Sequence, residues 1–154
     1  MDEPAPPAAN AAALINQHLG GWNRIMGLSF VTATASLIVG ELTIGDQHLQ
    51  PYGIVHGGVH AGIIEAACST GAAIYSAPLG QSVVGLENST SFLRACRGGK
   101  LRVTARPVTQ GRRSQVWEAT VEDDAGKAVA TGRVRLLCLE AGVKLAGATV
   151  AVGG

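Results

Sequence analysis

The sequence predicts an α+β fold in which a long central helix is wrapped by a curved antiparallel sheet. Three observations carry that expectation. Residues 57–77 form one apolar segment with no proline before Pro78, longer than most strands and therefore helical. Two β-prone runs precede it, and four extended runs separated by turn signals follow it. At 154 residues, with 47% hydrophobic and 15% charged content, the chain holds one domain with a sizeable core and is too apolar for general disorder.

In chain order, residues 1–9 are a Pro/Ala-rich tail expected to be flexible, and residues 10–139 form the domain. Residues 10–19 predict a short helix capped by Asn10 and stopped by Gly20-Gly21, with Trp22 anchoring it to the sheet edge. The two β-prone runs are 28–34 and 36–44. A polar loop with Pro51 and Gly53 then leads through His56-Gly57-Gly58 into the long helix, which Pro78-Leu79-Gly80 ends. Residues 82–93 are extended, and Gly98-Gly99 makes the next turn. Strands follow at 100–107, 115–121 and 127–138, with Leu101, Val103 and Ala105 alternating against Arg102, Thr104 and Arg106 in the first. Their turns are 110–113 and Asp123-Asp124-Ala125-Gly126. Residues 140–154 form a Gly/Ala/Val-rich C-terminal tail without a structural pattern.

The long helix is unusual in composition. Thirteen residues from 57 to 77 are Gly, Ala, Ser or Cys, and Val59, Ile63, Ile64, Ile74 and Tyr75 are its few bulky members. Small side chains all round let other layers approach closely, and a helix without a clear polar face is a buried one. In its middle stands one acid, Glu65. No Lys or Arg occurs between Arg24 and Arg94, so no local cation pairs with it, and an unpartnered buried carboxylate is costly. At about 100° per residue, Gly58, Ala61, Glu65 and Ser69 share one face. The helix start, at Gly57, leaves N–H groups free to meet developing negative charge. An oxyanion donor, a carboxylate and a hydroxyl thus lie in series. The plainer alternative is a Glu that meets solvent or a distant Arg.

A net charge of +1 gives no global attraction to nucleic acid or membrane. Its distribution is uneven: residues 94–144 carry eleven bases and five acids, whereas residues 1–93 carry one base and six acids. Cys68, Cys96 and Cys138 are scattered, without metal-ligand spacing, and read as small core residues of a reducing compartment. The N-terminus has acids and prolines where an export signal needs bases and an apolar run, and Glu65 and His56 argue against a membrane helix. A cytoplasmic protein is expected.

The run His-Leu-Gln-Pro-Tyr-Gly-Ile-Val-His-Gly-Gly-Val (48–59), followed by Glu65, resembles the hotdog-fold acyl-CoA thioesterases, most nearly the phenylacetate-pathway (PaaI-like) group that includes hydroxybenzoyl-CoA thioesterases. Val-Gly-Leu-Glu-Asn-Ser-Thr-Ser-Phe-Leu-Arg-Ala (84–95) and Gly-Arg-Val-Arg-Leu-Leu (132–137) resemble the same family. The resemblance implies the hotdog fold, a coenzyme A thioester substrate, no cofactor, and a homodimer or homotetramer with sites at the subunit interface. It implies that Glu65 attacks the thioester carbonyl or activates water for that attack, that the Gly57 N–H polarises the carbonyl oxygen, and that Gln50 orients water or substrate. Ser69, one turn beyond Glu65, serves the carboxylate or is merely a small packing hydroxyl. His56 lies half a turn away from Glu65 and is expected to order the loop; His48 and His60 are weaker candidates still.

Coenzyme A carries phosphates, which call for Arg or Lys at the mouth of a site. Arg94, Arg97, Lys100, Arg112 and Arg113 sit at strand ends or turns; Arg102, Arg106, Arg133 and Arg135 lie within strands and are expected to pair with Glu118 and Glu122 on a solvated face. No serine nucleophile elbow or metal-binding spacing occurs. The competing readings are a non-catalytic acyl-CoA-binding hotdog module and a hotdog enoyl-CoA hydratase or dehydratase, which pairs a His with an acid. The acyl group, aromatic or medium-chain, is left open.

Overall fold

The computed structural model describes residues 9–150. The tail expected over residues 1–9 therefore lies, apart from Ala9, outside the described residues, as do residues 151–154 of the C-terminal segment. Two short helices, α1 (Ala12–Gln17) and α2 (Gly21–Met26), lead into β1 (Ser29–Ala33) and β2 (Ile38–Thr43). The long helix α3 (Gly57–Ser76) follows, then β3 (Ser82–Phe92), β4 (Lys100–Gln110), β5 (Ser114–Glu122) and β6 (Ala128–Leu139). All six strands form one antiparallel sheet in the order β1-β2-β4-β5-β6-β3, and α3 packs against every one of them. This is the helix-in-sheet arrangement the sequence predicts.

The N-terminal region differs from expectation. Asn10 is not the helix cap. Ala11 holds that position, and Asn10 Oδ1 accepts from the Ala12 and Ala33 N–H groups at 3.0 and 2.9 Å, stitching α1 to β1. Gly20-Gly21 does not simply stop a helix, because Gly21 opens α2, which ends at Gly27 in the left-handed region (φ 76°) that glycine tolerates. Trp22 rides on α2 and lies over Gly62 of α3 rather than at the sheet edge. Beyond residue 139 a small hairpin forms, β7 (Lys144–Leu145) with β8 (Ala148–Thr149), where the sequence shows no pattern.

Within the strands the alternation holds: Leu101, Val103 and Ala105 are buried, as are Trp117, Ala119 and Val121 opposite them. On the outer face Arg133 pairs with Glu118 at 3.1 Å as expected, but Arg102 and Lys100 both reach Glu41, at 2.9 and 3.1 Å, and Arg135 reaches Glu87 at 3.4 Å. These exposed pairs contribute about 0–1 kcal/mol each, so they decorate the sheet rather than hold it.

What holds it is α3. Ile63, Ile64, Ala67, Cys68 and Ala72 are fully buried, and at Gly71 the outer edge of the buried Trp117 indole lies close against the helix backbone. The indole N–H donates to Gln115 Oε1 at 2.9 Å. Gln115 Nε2 in turn donates to Ala72 O and Ser76 Oγ, so a fully buried amide is satisfied and ties β5 to the last turns of α3. A Cβ at Gly71 would overlap the Trp117 ring, whereas one at Gly62 would meet only the far ends of Met26 and exposed Trp22. Alanine gains up to about 1 kcal/mol over glycine in a helix, and overpacking a close-packed core costs about 1–3 kcal/mol. Gly71→Ala is therefore expected to be less stable than Gly62→Ala by about 1–3 kcal/mol in urea unfolding; equal midpoints would show that the Trp117 contact is not a tight one.

Candidate active site

The loop before α3 is fixed by buried His48. Its Nδ1 accepts from the Gly45 N–H at 2.9 Å, its Nε2 donates to Met26 O at 2.7 Å, and its carbonyl accepts from the His56 N–H. A tight turn at 50–54 follows, with Gly53 in the left-handed region (φ 72°) and its N–H donating to Gln50 O. Arg97 Nη1 donates to the Tyr52 and Gly53 carbonyls at 2.8 and 3.1 Å, clamping the turn from β3's far end. Gln50 Oε1 accepts from the Tyr52 N–H, which leaves the amide nitrogen for other work.

His56 is the N-cap of α3, and its Nδ1 accepts from the Gly58 N–H at 2.8 Å. That is the ordering role expected of it. No described residue accepts from the Gly57 N–H one position earlier, so this donor stays open at the positive end of a 20-residue helix. A Cβ at Gly57 would stand 2.7 Å from the ring of exposed Phe92, which would have to move aside.

Glu65 sits two turns on. It is half-buried rather than sealed in, and beside Ser69, which the sequence offers, it has a second partner that the sequence does not. Ser69 Oγ donates to its Oε1 at 3.2 Å, and Asn88 Nδ2 of β3 donates to its Oε2 at 3.0 Å and to Ala61 O at 3.1 Å. Thr90 Oγ1 donates to Asn88 Oδ1 at 2.6 Å, which turns the Asn88 amide nitrogen toward the carboxylate. The carboxylate rests on Gly85, where a Cβ would come within 2.5 Å of Oε1. Neither Asn88 nor Gly85 stood out in the sequence. Both lie within the 84–95 run that carries part of the family resemblance, where a polar Asn-Ser-Thr-Ser run and a glycine inside an extended stretch are the local signals.

The groups expected to act together are not all close within one chain. Eight residues of helix separate Gly57 from Glu65, about 12 Å at 1.5 Å per residue. A cavity of about 360 Å³ opens beside Gly57, and Gln50, His60, Phe92 and Arg94 also line it. Arg94 and Arg97 thus lie at the start of α3. Arg112 and Arg113 lie at its other end, beside Gln81 and the Tyr75–Gln110 contact, so one chain does not gather all four arginines round one mouth. A larger hollow, about 730 Å³, lies on the solvent face of the sheet among Thr104, Thr120 and Thr131. Its Arg133 and Glu118 pair with each other, and Arg106 and Glu122, expected to pair, also line it without an ion pair to any described residue.

Burial first, and then the negative charges of Glu65 and Glu118, push the Cys68 thiol up to about 12, so it stays protonated at neutral pH and is no nucleophile. Among the described residues no group of three or more His, Cys, Asp or Glu is placed to hold a metal ion, and no helix is long and apolar enough to cross a membrane.

Residues 52–130, which include the helix start, Glu65 and Asn88, match the Thioesterase superfamily. The Rv1847 protein of Mycobacterium tuberculosis is 40% identical over 118 residues, covering 75% of this chain and 84% of that one. Its solved structure, covering 78% of this chain and 97% of its own, superposes with a TM-score of 0.77 at 38% identity. The proofreading thioesterase EntH of Klebsiella pneumoniae is 33% identical over 109 residues, 71% of this chain and 79% of its own. The 1,4-dihydroxy-2-naphthoyl-CoA hydrolase of Listeria monocytogenes is 31% identical over 113 residues, 73% and 91% respectively. A carboxylate held over a glycine, on a helix that begins with an open N–H, thus stands within a hotdog fold shared with these proteins, and the chain belongs to the thioesterase superfamily as a thioester hydrolase.

Proposed function

We propose that this protein is a cytoplasmic acyl-CoA thioesterase of the PaaI-like type that hydrolyses acyl- or aryl-CoA with Glu65 as nucleophile or general base. The observation that carries the reading is the Glu65 carboxylate: half-exposed, without an ion pair among the described residues, and oriented by Ser69 and Asn88. The Gly57 N–H takes the developing charge on the carbonyl oxygen, and the free amide nitrogen of Gln50 orients water or the thioester. The CoA-hydrolase and thioesterase names of the relatives agree with a thioester of coenzyme A.

Such a mechanism needs Gly57 and Glu65 on one carbonyl, and about 12 Å of helix separates them in a single chain. A second copy resolves this. The half-buried α3 face at Ala61, Glu65 and Ser69, and the unpaired outer edge of β3 with exposed Leu86 and Phe92, are the surfaces left for it. The active unit is then a homodimer, alone or within a tetramer, in which one chain's Glu65 meets the other's Gly57. Light scattering should show at least a dimer, and a stable monomer with full activity would remove the shared site.

Glu65→Gln tests the chemistry. An amide can still accept from Asn88 and donate to Ser69, so the variant is expected to fold as stably as the parent and to bind acyl-CoA. Its hydrolysis should fall by about 10²–10⁴-fold for a lost general base. Near-normal free-thiol release by a folded Glu65→Gln protein would refute the mechanism. At the mouth, Arg94→Ala should raise KM for an acyl-CoA more than it lowers kcat, with a weaker dependence on salt; an unchanged KM would take Arg94 out of the coenzyme's path.

A further inference from the structure

His60 is the one polar side chain lining the cavity at Gly57 for which neither the fold nor the chemistry described so far has a use. It is only 3% exposed, one turn along α3 from Gly57, and its ring stands 6.2 Å from that of Phe92. Its Nδ1 is buried with no hydrogen-bond partner, and its Nε2 makes no hydrogen bond to a described residue. Burial holds the imidazole below its ordinary value, so the ring is neutral near pH 7 and carries a single N–H. A buried polar group without a partner costs about 1–3 kcal/mol; the sealed Nδ1 takes the unprotonated place, and Nε2, which is not sealed, carries the N–H that is left for a ligand.

Resting on the coenzyme A reading above, we propose that His60 binds the thiol half of the substrate, its Nε2–H donating to the first amide carbonyl of the pantetheine arm. One cavity gathers Gly57, His60 and Arg94 with the apolar Ile54, Val55 and Leu93. A coenzyme A thioester carries a group for each: a reacting carbonyl for the Gly57 N–H, methylenes and amides for the apolar wall and His60, and phosphates for Arg94. Two methylene groups separate the sulfur from the first amide, a reach comparable with the three residues of helix, about 4.5 Å at 1.5 Å per residue, between Gly57 and His60. The acyl group, which has no anionic end, does not match Arg94 and leaves on the other side of the carbonyl.

The test compares two thioesters of one acid, the coenzyme A ester and the S-ethyl ester, which lacks every amide. His60→Phe keeps the ring against Phe92 and removes the donor; His60→Leu serves should the phenyl ring not fit, and His60→Gln returns an N–H near the Nε2 position. The expected result is a KM for the coenzyme A ester raised about tenfold in His60→Phe, the scale of one lost hydrogen bond. His60→Gln should recover most of it, and the S-ethyl ester should be cleaved by all three as by the parent. Equal losses on both esters would place His60 on the acyl side or in the packing, and no loss on either would give it no role; both overturn the proposal. If the parent cleaves neither ester, the thioesterase mechanism itself has failed, and calorimetric titration with coenzyme A decides His60 separately. A tenfold weaker affinity in His60→Phe supports the proposal, and equal affinity or no binding to the parent overturns it.

Discussion

The closeness with which α3 lies against its sheet is the constraint on which the rest of the molecule depends. Trp117 can be fully buried only because Gly71 lets its indole onto the helix backbone, and Gly132 of β6 likewise accepts Ile64, whose methyl groups stand 3.1 Å from where a Cβ would be. Small residues on both layers replace the usual exchange of bulky side chains, so a long apolar helix is enclosed by six strands without a thick core between them. That proximity brings β3 within hydrogen-bonding reach of Glu65. A thicker layer would leave the carboxylate to solvent, without Asn88 to aim it.

Much of this was legible. The length and composition of the 57–77 segment set the helix, period-two alternation set β4 to β6, and Asp123-Asp124-Ala125-Gly126 marks the β5–β6 turn that forms, with the Asp123 carboxylate accepting from the Ala125 and Lys127 N–H groups. Glu65, Ser69 and Gly57 could be placed because helical geometry is regular enough to align them from spacing alone. What escaped is long-range. Asn88 meets Glu65 across 23 residues, Arg97 reaches back 45 residues to Tyr52, and no local pattern encodes either meeting. The glycine pair before α2 was misread because glycine both ends and begins helices, and the left-handed Gly27 that closes α2 carries no information about what precedes it. The four arginines looked equivalent as turn residues; only strand order shows that two lie at each end of α3.

The two ends of α3 are also built differently. Its last turns are locked to β5 through the satisfied amide of Gln115, with Trp117 filling the space beside it. Its first turn is held by the capping imidazole of His56 and by a loop that His48 and Arg97 brace from two sides, while the Gly57 N–H and the His60 ring are left unsatisfied. The last turns are thus bound into the sheet and the first turn carries the open helix N–H, although buried Gln81 Oε1, beyond the last turn, also lacks a partner among the described residues.

Gly85 contributes in a different way again. It has no functional group, lies exposed on an edge strand, and contributes to the site only the space that the Glu65 carboxylate occupies. A search for chemistry that counts acids, bases and nucleophiles passes over such a position, because what it encodes is a vacancy of one methyl group. A side chain at Gly85 would displace the Glu65 carboxylate from its present place while leaving every polar group around it unchanged.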